Sequence, residues 1–168
     1  CIRDRVSVEK LTSGEYAAER RAKLSMDKTQ AWGPGVSPAE SANTTHLTVA
    51  DASGMVVSST QTINSLFGSR MMIPGTGIVP NNYMALFDPR PGRALSIAPG
   101  KRITTSMSPL IVLKDGKPAW ALGLPGGLRI FGSAMQAVLN LIDHGMPLQE
   151  AVEAPRLWTQ GGPVEVEE

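Results

Sequence analysis

The 168-residue sequence predicts a layered α+β fold, in which sheet strands pack against helices on one face. Three observations predict it: an alternating segment with a return strand across a tight turn, a second strand pair further along, and a strong amphipathic helix after both. Hydrophobic residues make up 42 % of the chain, which is enough for a core. The formal net charge of +1 gives no indication of a nucleic-acid partner.

Composition also bears on whether the chain holds a disulfide, a metal site or a membrane-spanning segment. The single cysteine, Cys1, cannot form an intrachain disulfide or a cysteine-only metal site. The two histidines, His46 and His144, are too few and too scattered for a zinc cluster, so we expect neither a metal nor a cofactor. No apolar run approaches the length of a membrane span.

The first predicted element is a helix over residues 4–25. Asp4 and Ser7 are its candidate caps, and a charged face is typical of a helix surface in contact with solvent. Leu11 and Tyr16 are the side chains that we expect to face inward.

An aperiodic segment, residues 27–43, follows this helix and predicts a loop or linker. Residues 45–51 then alternate and predict a strand, and Asp51-Ala52-Ser53-Gly54 predicts a tight turn. Met55 to Thr62 is the return strand of the hairpin.

The register of this hairpin follows from the turn. A turn centred near Ala52-Ser53 places Thr44 opposite Gln61 or Thr62, and a bulge or a three-residue loop selects Thr62. We therefore expect Thr44, Thr62 and Asn64 to lie close together at one end of the hairpin.

The second half of the chain begins with a long glycine-rich loop, residues 65–82, of a length typical of binding loops. A second hairpin pairs Leu110–Leu113 with Pro118–Leu122. Helices are predicted over Leu128–His144 and Leu148–Ala154, and no structure is predicted for the acidic C-terminal residues. The apolar positions of the first of these helices are Ile130, Phe131, Met135, Val138, Leu139 and Ile142.

Thr44 is the candidate nucleophile. A threonine hydroxyl needs an adjacent base, and its own α-amine serves as that base if the chain is cut immediately before it. A threonine at the start of a strand, after an exposed linker, fits this arrangement. The alternative is an ordinary strand threonine.

Two further segments offer hydrogen-bond donors. Gly126-Gly127, between a strand and a helix, presents backbone N–H groups suited to an anion or a developing oxyanion; the alternative is a tight turn. Thr105-Ser106 offers hydroxyl donors for a carboxylate; the alternative is a hydrogen bond at the start of a strand.

These motifs, taken in order and spacing, resemble the γ-glutamyltranspeptidases closely over residues 44–168 and loosely before them. A series of ordered motifs is far more specific than a single pattern. The motifs are Thr44-Thr45-His46, Thr62-Ile63-Asn64, Phe67-Gly68, Gly77-Ile78, Asn81-Asn82, Pro99-Gly100-Lys101-Arg102, Ser106-Met107-Ser108-Pro109, Pro125-Gly126-Gly127 with Arg129-Ile130, and Glu150 to Arg156.

The resemblance implies an N-terminal-nucleophile hydrolase with an αββα sandwich, part of it in this chain. It implies that a precursor cuts itself at Asn43-Thr44, so that residues 1–43 are the tail of a large subunit with its processing linker. Residues 44–168 would be the catalytic region of the small subunit, incomplete at its C-terminus. The implied partners are the large subunit of the same precursor and a small-molecule amide.

The resemblance also implies roles for single residues. Thr44 would form an acyl-enzyme with a γ-glutamyl or related amide, and Thr62 would hydrogen-bond this nucleophile. Gly126 and Gly127 would form the oxyanion hole. The positions matching those that hold the carboxylate of the substrate are Asn64, Thr105 and Ser106.

Two positions depart from the transpeptidase pattern. Tyr83 stands where a glutamine is usual, and we include it among the substrate-binding residues. Leu86 stands where an aspartate grips the α-ammonium of the donor, and an unpaired buried ammonium is costly. The departure favours family branches that act on acyl groups without the amine, of the glutaryl or oxamate type.

Three functions therefore stay open: transfer or hydrolysis of γ-glutamyl groups, as in glutathione metabolism, an amine-independent acylase, and a non-catalytic unprocessed fragment. The family resemblance implies a periplasmic or secreted location, and the residues themselves leave a cytoplasmic one open.

Overall fold

The computed structural model describes residues 7–24 and 43–167. Their helices and strands alternate in blocks, which confirms the α+β prediction. None of the helices in this part of the chain is long and apolar enough to cross a membrane. The elements are α1 (Val8–Leu11), α2 (Gly14–Arg21), β1 (Thr44–Ala50), β2 (Val56–Thr62), β3 (Leu110–Lys114), β4 (Lys117–Leu122), α3 (Ile130–Ile142), α4 (Leu148–Glu153), β5 (Leu157–Trp158) and β6 (Glu165–Val166).

The N-terminal helix is interrupted, where the sequence predicted a single one. The Ser13 hydroxyl accepts a hydrogen bond from the Tyr16 N–H at 3.1 Å and so caps α2, while Ser7 caps α1 as expected. Neither helix buries a residue among the described part of the chain, and Leu11 is exposed rather than inward. Asp4 lies outside the described residues.

The first hairpin is regular and antiparallel. Its seven residue pairs run from Thr44 opposite Thr62 to Ala50 opposite Val56. The turn is fixed by Asp51, whose Oδ1 accepts hydrogen bonds from the N–H groups of Ser53 at 2.9 Å and Met55 at 3.0 Å. The Ser53 hydroxyl also donates to this carboxylate, and these bonds hold the pKa of Asp51 below its ordinary value.

The second hairpin, β3 with β4, contains an irregularity between Val112 and Leu113. It contacts β2 of the first hairpin, where the Ser58 hydroxyl donates to the Leu122 carbonyl at 3.3 Å. The end of β4 is therefore attached to the first hairpin just before the glycine-rich turn that leads to α3.

The core lies on the small-residue side of α3. Ile130 and Ala134 are each 1 % exposed, and Ser133 and Ala137 are also buried. Of the six apolar positions that the sequence gives for this helix, Ile130 is the one that is buried among the described residues. Four of those positions are exposed, because α3 is apolar on two sides and the described residues cover only one. These four are Phe131, Met135, Leu139 and Ile142.

The C-terminal residues form a small antiparallel pair, β5 with β6, where no structure was predicted. One ion pair connects these strands to the residue before α3, and a second joins the two residues that flank them. Arg129 Nη2 lies 2.6 Å from Glu165 Oε2, and Arg156 Nε lies 2.7 Å from Glu167 Oε2. The guanidinium of Arg129 also stacks over the Trp158 ring at 4.7 Å from its centroid.

Candidate active site

Thr44 is the first residue of β1 and lies directly opposite Thr62 on β2. Of the two registers that the sequence allowed, the structure therefore has the one with Thr62. Directly paired residues share a face of the sheet, so both hydroxyls are on the same side of the hairpin. Both residues are half-buried.

The Thr62 hydroxyl contacts the peptide bond that precedes Thr44. It donates to the Asn43 carbonyl oxygen at 3.2 Å and accepts from the Asn64 N–H at 2.9 Å. A hydroxyl has a single proton to donate, so its donor is directed at the Asn43 carbonyl. The carbonyl beside the candidate nucleophile is thereby polarised in the uncleaved chain.

Asn64 is held in place by Asn82. The Asn64 Nδ2 donates to Asn82 Oδ1 at 2.9 Å, the Ser65 N–H donates to the same oxygen at 3.0 Å, and Asn82 Nδ2 donates to the Ser65 hydroxyl at 2.8 Å. Asn64 has a φ of 71°, a conformation that asparagine tolerates better than most residues. Since an amide nitrogen has two protons, Asn64 keeps one donor for a ligand.

Tyr83 comes directly after Asn82 in the chain. Its N–H is bonded to Asn81 Oδ1 at 3.0 Å, and it begins a 3₁₀ turn, Tyr83–Leu86, which the sequence did not predict. Both Tyr83 and Leu86 are half-buried. The bonds that join Asn82 to Asn64 and to the residue after it thus hold the start of this turn, at Tyr83, beside the end of β2.

Gly126 and Gly127 form the turn between β4 and α3. Their φ values of 135° and 57° are conformations that side chains disfavour, so this turn requires glycine. The first N–H groups of a helix have no partner within it, and the helix dipole makes this end positive. A 3₁₀ turn, Gly127–Arg129, connects these glycines to α3, and the role of their N–H groups as oxyanion donors stays a prediction.

Ser106 is connected to this turn. Its hydroxyl donates to the Gly127 carbonyl at 2.6 Å, which uses its only proton. The Thr105 hydroxyl accepts from the Met107 N–H at 3.2 Å, and its proton stays available for a ligand. Of the two hydroxyl residues among the three predicted to hold a carboxylate, Thr105 is the better donor in this arrangement.

The predicted residues fall into two groups. One contains Thr44, Thr62, Asn64 and Tyr83, which β1, β2 and the long loop bring together; the other contains Thr105, Ser106, Gly126 and Gly127. The elements that carry the two groups meet where the ring of His46, two residues after Thr44, packs against Gly123, next to the Ser58–Leu122 bond.

Sequence reasoning gave no role to Asn82 or His46. The signal for His46 was its place in the alternation, because His46, Thr44 and Thr62 share the face of the hairpin that carries hydroxyls. The sequence signal for Asn82 was its place as the second residue of the Asn81-Asn82 motif.

Strong electrostatic perturbation occurs outside this site. The Arg90 guanidinium donates two hydrogen bonds to the Asp88 carboxylate and lowers the pKa of Asp88 to about 2. In residues 7–24 and 43–167, no cluster of three or more histidine, cysteine, aspartate or glutamate side chains could hold a metal ion.

Comparison with known proteins places the chain among related sequences. A family model described as Gamma-glutamyltranspeptidase matches residues 3–168. The chain is 63 % identical over 164 residues to the Acylase ACY 1 proenzyme of Pseudomonas sp. (strain SE83), covering 98 % of this chain and 29 % of that protein. It is 43 % identical over 166 residues to the Glutathione hydrolase proenzyme of Pseudomonas sp. (strain A14), covering 91 % of this chain and 29 % of that protein.

A solved structure is also similar. The crystal structure of cephalosporin acylase from Bacillus halodurans matches with a TM-score of 0.81 and 36 % identity, covering 96 % of this chain and 29 % of that one. These matches confirm the resemblance inferred from the ordered motifs. The chain spans less than a third of the length of these relatives.

Proposed function

The chain belongs to the gamma-glutamyltranspeptidase family, and we propose that it forms the catalytic part of a self-processing hydrolase or acyltransferase that acts on acyl amides. Thr44 is the nucleophile of this proposal. The observation that carries it is the hydrogen bond from the Thr62 hydroxyl to the Asn43 carbonyl, because it polarises the one peptide bond whose cleavage gives Thr44 a free amine.

The first reaction is the cleavage of Asn43-Thr44. The Thr44 hydroxyl attacks the Asn43 carbonyl carbon, and the negative charge that develops on the carbonyl oxygen lies next to the Thr62 O–H. The proton of the Thr44 hydroxyl passes to the departing nitrogen, so that breaking the C–N bond leaves the Asn43 acyl group as an ester on Thr44 and frees the α-amine. Water then hydrolyses the ester, which separates residues 1–43 from residues 44–168.

The second reaction uses the freed Thr44. Its α-amine takes the proton of the Thr44 hydroxyl as that oxygen attacks the amide carbonyl of the substrate. N–H groups of Gly126 and Gly127 stabilise the oxyanion, and departure of the amine leaves an acyl-enzyme. Water or an acceptor amine then removes the acyl group.

The acyl group is held through its carboxylate. Asn64 and Thr105 each keep a donor proton for it. Tyr83 follows Asn82, the partner of Asn64, and Ser106 is bonded to the Gly127 carbonyl. Leu86 supplies an apolar side chain where an ammonium would need a carboxylate. We therefore place this chain with the acylases that accept an amine-free acyl donor, such as a glutaryl amide.

A γ-glutamyl donor is the second candidate, and the 43 % identity to a glutathione hydrolase proenzyme favours it. Hydrolysis of glutaryl and γ-glutamyl anilides by the complete enzyme separates the two. The proposal expects the larger kcat/KM for the glutaryl compound. A strong preference for the γ-glutamyl compound would show that Leu86 does not exclude the ammonium.

The remaining precursor is the proposed partner. The outer face of α3 exposes Phe131 and Met135 at 58 % each, and β1 exposes Leu47 and Val49. Large apolar side chains exposed in this way support an interaction surface where they form a contiguous patch. The large subunit of the same precursor is the occupant that the proposal assigns to it.

Mass spectrometry of the full-length precursor tests the proposal. We expect two fragments meeting at Asn43/Thr44 in the wild type and in Thr44→Ser, which keeps a hydroxyl, and an intact, inactive chain in Thr44→Ala. Cleavage at the same bond in Thr44→Ala would refute the assignment of Thr44. A permanently intact and inactive wild type would instead identify a non-catalytic protein.

A further inference from the structure

His46 is the ionisable side chain nearest in sequence to Thr44, and the proposed reaction does not use it. It lies on the same face of β1, and its half-buried ring is bonded at both nitrogens. Nδ1 is 2.8 Å from the Thr60 hydroxyl and Nε2 is 3.1 Å from the Thr48 hydroxyl. Both partners can donate or accept, so the ring is fixed in one orientation by groups of its own hairpin.

The fixed ring fills the space above Gly123. A Cβ atom added to Gly123 would lie 2.3 Å from Cε1 of His46 and 2.4 Å from its Nδ1, closer than real Cβ atoms approach other heavy atoms. Gly123 therefore has to be glycine for the ring to stay where it is. The residue before it, Leu122, is held by the Ser58 hydroxyl, so the end of β4 contacts the first hairpin at two successive residues.

This contact lies between the two halves of the candidate site. His46 is two residues from the nucleophile, and Gly123 is three residues before the first of the two oxyanion glycines. A displacement of Gly123 would move the N–H groups of Gly126 and Gly127 relative to Thr44. Misplacing a catalytic group by about 1 Å can cost on the order of 100-fold in rate.

Resting on the function proposed above, we propose that His46 is a positioning residue that sets the distance between Thr44 and the oxyanion glycines by packing its ring onto Gly123. Thr48 and Thr60 hold the ring, and the missing side chain of Gly123 provides the recess that receives it. His46 acts through the volume of its ring and the position in which that ring is held. Its two nitrogens are engaged by Thr48 and Thr60, so it is not the base for Thr44.

The test is a double-mutant cycle in the full-length precursor with His46→Ala, Gly123→Ala and both together. Gly123→Ala forces the ring or the strand to move, and we expect kcat to fall about tenfold or more while KM changes less than about threefold. The double variant has room for the new methyl group, so we expect it to be more active than Gly123→Ala alone. Gly162→Ala, where an added methyl meets nothing within 4 Å, is the matched control and keeps the wild-type kcat.

Two results would overturn the proposal: an unchanged kcat in Gly123→Ala, or a double variant whose loss equals the product of the two single losses. If Gly123→Ala does not fold, recovery of soluble protein in the double variant supports the contact, and no recovery contradicts it. Thermal unfolding of the four proteins measures the same coupling without activity. An inactive, uncleaved wild type would therefore refute the proposed function, while the unfolding cycle would still decide whether His46 packs on Gly123.

Discussion

The β1–β2 hairpin and the α3–α4 pair are held together by different kinds of side chain. On the hairpin, Thr62 and His46 make directed hydrogen bonds to single atoms. In the helix pair, Ala134 of α3 and Ala151 of α4 are buried at 1 % and 2 % exposure, and one side-chain bond, from Asn140 Nδ2 to the Ala151 carbonyl at 3.3 Å, joins the two helices. Directed hydrogen bonds fix the positions of individual atoms, which catalysis requires. Close packing fixes the positions of whole helices and strands and does not orient single polar groups.

The largest effect expected from this difference is that of Thr62→Val. The change keeps the shape of the side chain, removes the donor to the Asn43 carbonyl and leaves the Asn64 N–H without its acceptor. We expect self-cleavage and acyl transfer to slow by about 100-fold or more. The time course of the two fragments on a gel and kcat of the mature enzyme measure this.

Thr45→Val is the control for Thr62→Val, because it makes the same change on the opposite face of the hairpin. It should cleave and turn over like the wild type. Equal rates of cleavage and turnover for Thr62→Val and the wild type would show that the hydroxyl-bearing face of the hairpin contributes no more to catalysis than the opposite face.

An intermediate effect is expected for Ser106→Ala. The hydrogen bond to the Gly127 carbonyl contributes about 1 kcal/mol to the free energy that holds Gly127 in place. Without it, kcat should fall about fivefold to tenfold with little change in KM. Thr105→Val, which removes the available hydroxyl, should instead raise KM for a carboxylate-bearing donor. Steady-state kinetics on one substrate compares them, and a rise of KM alone in Ser106→Ala would make Ser106 a carboxylate ligand.

The smallest effect on catalysis is expected from Ala134→Leu in the helix pair. Overpacking a buried site should lower the free energy of unfolding by about 1–3 kcal/mol. The kcat per titrated active site should be unchanged, because no hydrogen bond among the described residues joins Ala134 to a residue of the candidate active site. Urea unfolding and active-site titration measure the two quantities, and Ala18→Leu on the exposed side of α2 is the control.

Much of the hairpin could be predicted from sequence. The alternation and the Asp51 turn gave its two strands, and the choice between two partners for Thr44 was open because a change of one residue in turn length moves the register by one. Asp51 accepts bonds from both Ser53 and Met55, a detail of turn geometry that composition does not specify. The structure selects Thr62.

Other features could not be predicted, for three physical reasons. Periodicity cannot tell the inner from the outer face of α3 when both are apolar, and Ala134 was therefore missed. Two-residue strands such as β5 carry no period, and distant ion pairs such as Arg129 with Glu165 position them. The bonds that build the site, Ser106 to Gly127 among them, join residues far apart in sequence.

The space above Gly123 also constrains the order in which this sequence can change over generations. A side chain at position 123 is excluded while the His46 ring is present, since the first atom of that side chain would overlap the ring. A smaller residue at position 46 removes this obstacle. Replacing the glycine first therefore creates an overlap, whereas replacing the histidine first loses only the packing of its ring on Gly123.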